Sequence, residues 1–314
     1  MDKLLVAGID TIVGGNLAAW LAQRYQVVGL SWGDSLAIAG CETAVCDPSA
    51  IDAARTWIAS ERPQWVVYCG PGARSTWDLP APAAPHPECV NVAGTWARAA
   101  QEFGCELTVI SSDAVFTGPW MFHRENGACF CESTPARLLR MIEKEVCDVY
   151  PDTLLIRTNA FGWSPSPQAP GLVENVLQSA QEGRPLVLDC MRYATPILAT
   201  DLADVLDRAY YQKLRGLHHL AGSERINPFR FACLLADQFG YPMSSLDAVE
   251  TPFESRRGEY GAGETSLQSR RIRRALEVSL PMIRDGLSRL YEQHVSGYRD
   301  RFGSLEPALA EQVA

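Results

Sequence analysis

The most restrictive feature lies at the start of the chain. The short apolar run Leu4-Leu5-Val6-Ala7 stops at Gly8 and gives way within a few residues to a helical pattern carrying Leu17, Trp20 and Leu21. A run that is apolar at every position suits a strand buried on both faces, the condition of a parallel sheet. The pattern then repeats. Strands are expected at 26–32, 64–69, 106–111 and 153–157, and helices at 15–23, 51–60, 90–103 and 137–149. Strands alternating with helices imply right-handed βαβ units and a parallel sheet covered on both sides.

After Arg157 the texture changes. Pro165, Pro167 and Pro170 mark a loop, followed by helices near 172–182, 201–211, 228–239 and 281–293 and one short strand at 216–220. The predicted fold class is α/β: a Rossmann-type doubly wound parallel sheet with a smaller C-terminal substrate-binding lobe. The sheet domain spans 1–160 and is completed by about 197–220. The lobe takes 161–196 and 221–314, with residues beyond about Gly303 expected to be loosely held.

Composition limits the partners. A chain of 314 residues with 47% hydrophobic content can bury a large core. Its net charge of -9 disfavours nucleic acid and anionic membrane as partners. The N-terminal apolar run is too short for a signal peptide, and no apolar stretch has the length of a membrane span, so the expected compartment is the cytoplasm. The ten cysteines are scattered. They suit reduced, mostly buried thiols, and Cys129-Phe130-Cys131 has no second pair or nearby His to complete a metal site.

The turn Gly8-Ile9-Asp10-Thr11-Ile12-Val13-Gly14 joins the first strand to its helix. Backbone N–H groups and the helix dipole at such a junction attract a diphosphate, so Gly8, Thr11, Ile12, Val13 and Gly14 are candidate dinucleotide contacts. Thr11 stands where a glycine would allow the closest approach. Its side chain either excludes the diphosphate or hydrogen-bonds it. The second strand ends at Ser31, a neutral residue that selects neither NAD nor NADP. Asp47 is placed either to cap an adenine edge or to cap the helix near Ile51. Cys69 and Gly70, ending the next strand, complete the candidate cofactor set.

Taken together, the segments resemble the extended short-chain dehydrogenase/reductases, specifically the dTDP-4-dehydrorhamnose reductase-like (RmlD-like) group. The likeness is carried by the strand 64–70, by Asn91-Val92-Ala93-Gly94-Thr95, by Val109-Ile110-Ser111-Ser112-Asp113-Ala114-Val115-Phe116-Thr117-Gly118, by Leu155-Ile156-Arg157-Thr158, by Thr195-Pro196 with Asp201-Leu202-Ala203, and by Thr265-Ser266-Leu267 with the basic helix after it. The resemblance implies NAD or NADP as cofactor, a nucleotide-sugar-like small-molecule substrate, and a homodimer as one open arrangement.

It also implies a Ser or Thr, a Tyr and a Lys four residues later. Ser112 fills the first role. Aligned on Glu145, the Tyr position holds Arg137 and the Lys position Met141. The chain has only Lys3, Lys144 and Lys213, none with a Tyr four residues before it. Arg137 cannot replace a phenol as acid or base because its guanidinium stays protonated. His123, in the aromatic segment after Gly118, is the best remaining proton donor, with Asp113 and Glu125 behind it. The two functional readings are an atypical oxidoreductase and a catalytically inactive homologue with a binding or regulatory role.

Overall fold

The computed structural model describes residues 1–50, 52–78, 84–252 and 259–304. In chain order the elements are β1 (Lys3–Ala7), α1 (Ile12–Leu21), β2 (Gln26–Ser31), β3 (Leu36–Ile38), β4 (Cys41–Val45), α2 (Ala53–Glu61), β5 (Trp65–Tyr68), α3 (Glu88–Phe103), β6 (Glu106–Ser112) and α4 (Thr134–Val149). They continue with β7 (Leu154–Thr158), β8 (Ala160–Phe161), α5 (Leu172–Glu182), β9 (Leu186–Asp189), β10 (Ile197–Leu198), α6 (Ala199–Tyr211), β11 (Gly216–His219), α7 (Pro228–Gln238), β12 (Leu246–Val249), α8 (Arg270–Leu276), α9 (Ile283–Val295) and β13 (Phe302–Ser304).

Seven strands form one parallel sheet in the order β11-β7-β6-β5-β1-β2-β4. This is the doubly wound arrangement expected from the alternation. Successive residues of one strand serve opposite faces. Leu4 and Val6 of β1 join the core that takes in Leu17 of α1 and Leu202 and Leu206 of α6. Leu5 and Ala7 join the core built with Ile58 of α2, Trp96 and Ala97 of α3, and Leu139 of α4. β1 is therefore apolar from Leu4 to Ala7 because both of its faces are covered.

Two differences from the sequence expectation concern this sheet. β4 was not anticipated: it is a partly exposed edge strand with no apolar run. α1 begins at Ile12 rather than Gly15, because Thr11 caps it and the paired glycines that argue against a helix are tolerated inside it. Outside the sheet, β9 pairs with β12, β8 with β10, and β3 with β13. From 305 onward the expected loose tail lies outside the described residues. No helix among the described residues is long and apolar enough to cross a membrane.

Candidate functional site

The carboxyl ends of β1, β2 and β5 meet at the glycine turn. Gly8 adopts φ +101°, and a Cβ there would stand 2.0 Å from the Cys69 carbonyl oxygen. A Cβ on Gly14 would stand 2.1 Å from the Gly8 carbonyl oxygen. Both glycines are required by the turn's own packing. Thr11 is buried, and its hydroxyl donates to Gly8 O at 2.8 Å while accepting from Gly14 N at 2.9 Å. Its oxygen is thus committed to the turn. The amides of Ile12 and Val13 have no backbone acceptor among the described residues and remain as donors at the helix head.

Three side chains surround this turn. Trp32 lays its indole beside Gly8, donating from Nε1 to Cys69 O at 3.1 Å. Asp10 accepts from Trp32 N at 3.1 Å and from Arg74 Nη2 at 2.8 Å. An unpaired carboxylate here would repel a phosphate, and Arg74 neutralises it. A cavity of about 370 Å³ opens alongside, walled by Thr11, Trp32, Pro48, Tyr68, Gly70 and Arg74 among others. Free amides, close glycines and an adjoining aromatic cavity fit the diphosphate and one nucleoside of a dinucleotide.

The remaining cofactor candidates are placed less directly. Ser31 is buried and its hydroxyl faces Gly33 N at 3.4 Å. Cys69 is fully buried, and burial pushes its thiol well up. Asp47 closes a local turn instead, accepting from Ser49 N at 2.9 Å and Ser49 Oγ at 2.7 Å. The N-cap of α2 is Asp52, so the capping alternative for Asp47 is not realised.

At the end of β6 the side chains carry the geometry. Ser112 is buried, accepting from Ala114 N at 3.1 Å and facing Asp113 Oδ1 at 3.3 Å. The Tyr260 phenol lies among Ser112, Asp113 and Cys131, and burial raises it well above its usual range. Nothing in the spacing pointed to Tyr260; the tight Gly261-Ala262-Gly263 turn beside it, with two positive φ angles, was the only local signal. The segment carrying Tyr260 is fastened from several sides. Arg192 donates to Gly261 O and Thr76 O at 2.9 Å each, and Thr265 Oγ1 donates to Asp113 Oδ2 at 2.6 Å. Asp113 is fully enclosed, which raises its pKa despite donors from Thr265 and Asn159.

Helix α4 presents Arg137 and Met141 on its exposed side. Arg137 is tied to Glu132 at 2.7 Å, and Met141 is 53% exposed. The inward face instead carries Glu143, which accepts from Ser111 Oγ at 2.6 Å and from Arg157 at 2.8 and 2.6 Å. His123 is buried, stacked on Phe116 at 4.5 Å, with Nε2 at 3.1 Å from Glu264 O. Burial lowers its pKa, so its ring is neutral at pH 7 and a weak proton donor. Glu125 accepts from His219 N at 3.2 Å.

The family profile described as the RmlD substrate binding domain matches residues 2–296. The chain belongs to this family. Its fold superposes on a Bacillus anthracis dTDP-4-dehydrorhamnose reductase, solved in complex with NADP, with a TM-score of 0.77 at 17% identity, covering 93% of this chain and 99% of that one. A hypothetical dTDP-4-dehydrorhamnose reductase from Sulfolobus tokodaii gives a TM-score of 0.72 at 22% identity, over 90% of this chain and 98% of the other. Among curated relatives, methionine adenosyltransferase 2 subunit beta of Danio rerio is 26% identical over 204 residues. The match spans 62% of this chain and 62% of that relative's length. The RmlD-like architecture is therefore a shared feature.

Proposed function

We propose that this RmlD-like chain binds NAD or NADP and a nucleotide-sugar-like ligand, and works as a binding or regulatory protein rather than by the Tyr–Lys route of the reductases. The observation that carries this reading is on α4: at the Tyr position Arg137 is bound to Glu132, and at the Lys position Met141 offers no charge. Ser112 adds support, since its hydroxyl is already engaged by Asp113 and Ala114. The Danio rerio relative is itself named as a subunit of another enzyme.

In this reading the amides of Ile12 and Val13 hold the diphosphate and the cavity beside Trp32 and Tyr68 takes the adenosine. A bound nicotinamide would supply hydride chemistry, but no residue at the family positions is placed to move the accompanying proton. The same reading assigns 1–160 with about 197–220 to the dinucleotide domain and 161–196 with 221–314 to the ligand lobe, in the cytoplasm.

One observation favours a second reading, in which Tyr260 stands in as the proton donor: its phenol lies beside Ser112 and Asp113. Burial makes that phenol a weaker acid than usual, which counts against it. The test is calorimetric titration with NAD and NADP, followed by an assay of NADPH and NADH oxidation with a 4-keto nucleotide sugar. Binding without turnover is expected. Absence of dinucleotide binding, or measurable hydride transfer, overturns the proposal; transfer that disappears in Tyr260→Phe establishes the second reading.

A further inference from the structure

A second cavity, about 680 Å³, lies away from the dinucleotide cleft and is walled by Phe122, Gly222, Ser223, Gln268, Ser269, Arg270, Arg273, Arg274 and Ser279 among others. It sits beside α8, which packs on β11 at one edge of the sheet. β11 is four strands from β1, a separation of roughly 19 Å at the usual strand spacing. Helical spacing of three and four brings Arg270, Arg273 and Arg274 to one side of α8. None of the three makes an ion pair or a side-chain hydrogen bond among the described residues, although the chain is acidic overall. Among the described residues Glu277 is the one carboxylate on the cavity wall, so the three cations leave it net positive, and an anion in the cavity would lower their mutual repulsion.

Phe122 is an independent observation. It holds φ +55°, a left-handed conformation that a bulky residue rarely adopts, and it is 41% exposed on the cavity wall. Its N–H donates to Ser266 Oγ at 2.8 Å, and His123 N donates to Ser266 O at 2.8 Å, which fixes the strained backbone. The ring stacks on no other aromatic among the described residues. Strain that leaves an aromatic face unused beside a cation cluster points to a ligand rather than to packing. We infer that this cavity binds a nucleoside polyphosphate, with the phosphates at Arg270, Arg273 and Arg274, hydroxyl contacts from Ser269 and Ser279, and the base against Phe122. The site is independent of the dinucleotide cleft.

The probes are ADP and inorganic pyrophosphate, titrated calorimetrically into the full chain. An Arg74→Glu variant, which adds a carboxylate at the cleft mouth, removes binding at the dinucleotide site without touching α8. Both probes are expected to keep binding to Arg74→Glu, with affinity falling as salt rises. In that background Arg273→Ala/Arg274→Ala is expected to weaken both at least tenfold, and Phe122→Ala to weaken ADP alone. All three positions are exposed, so folding is retained and is checked by circular dichroism. Loss of ADP binding in Arg74→Glu, affinity unchanged in the double variant, or binding of an oligoglutamate peptide with no binding of ADP would each overturn the inference.

Discussion

Two sites at the carboxyl edge of one sheet are built from different materials. The glycine turn after β1 is made of backbone: its shape follows from Gly8, Gly14 and the amides ahead of α1. The pocket after β6 is made of side chains: Ser112, Asp113, Tyr260 and the residues that α4 presents. A backbone site tolerates change at the intervening positions, which is why Asp10 and Thr11 sit in the turn without unmaking it. A side-chain site depends on each residue separately. In the proposed reading, Arg137 and Met141 at two exposed positions of α4 leave the helix intact and stand where the resemblance implies a Tyr and a Lys. Beneath both sites the scaffold is closely packed, and it is the scaffold that the fold protects.

The largest expected effects test that last statement from both ends. Arg157→Met leaves Glu143 buried with only the Ser111 hydroxyl as partner, in a pair whose side chains are 5% and 9% exposed. Loss of one member of such a pair costs about 3–5 kcal/mol. Gly8→Ala forces a Cβ into the Cys69 carbonyl at a φ of +101° and is expected to cost about 3 kcal/mol. Urea unfolding of both variants measures this. If Gly8→Ala is as stable as the parent, the turn is not fixed by its glycines and the contrast between the two sites fails.

Acid stability comes next. Burial lowers the pKa of His219 to about 3 and of His218 to about 4, and Arg157 and Arg271 respectively add to the effect. Both folded values lie below the unfolded value near 6.5, so the unfolded chain binds more protons. The contribution of these groups is complete above pH 6.5 and is lost as pH falls toward 4, at up to about 1.4 kcal/mol per pH unit for each His. Asp113 works in the opposite sense, since its raised pKa lets the folded state take up a proton in acid. Denaturation midpoints between pH 7 and pH 4.5 should fall steeply, and His219→Gln should flatten the profile; a flat parent profile would remove the buried histidines from the account.

Much of this was legible in the sequence. The strand and helix alternation gave the sheet because runs buried on both faces leave an apolar signature. β4 left none, being half exposed, and β8 and β10 are too short for any periodicity. The glycine turn was legible because a backbone requirement shows directly as glycine. Tyr260 was not, because its place near Ser112 brings together residues far apart in the sequence. His123 drew attention by its chemistry, yet its stacking on Phe116 is a tertiary fact that no spacing encodes.

A smaller effect sharpens the view of Thr11. Its hydroxyl caps α1 through Gly14 N, so Thr11→Ala should cost about 1 kcal/mol and Thr11→Gly only a few tenths. Thr11→Gly also clears space over the turn. Tighter NADP binding in Thr11→Gly than in the parent, read by calorimetry, would show that the side chain hinders the diphosphate; equal affinity would show that its inward hydrogen bonds keep it clear.

The smallest stability change carries the sharpest functional question. Arg137→Tyr/Met141→Lys alters two exposed positions, so the fold should lose no more than about 0.5 kcal/mol. The pair then stands at the family spacing, on the right helix, with the lysine able to lower the phenol pKa. Hydride transfer is nonetheless expected to stay absent, because Tyr260 still stands beside Ser112 and Asp113 and its segment is held by Arg192 and Thr265. Adding Tyr260→Ala to the double variant clears the space beside Ser112 and is the combination from which turnover should emerge. Turnover in the double variant alone would mean that the pocket after β6 lacks nothing but two side chains, and that Tyr260 is a bystander there.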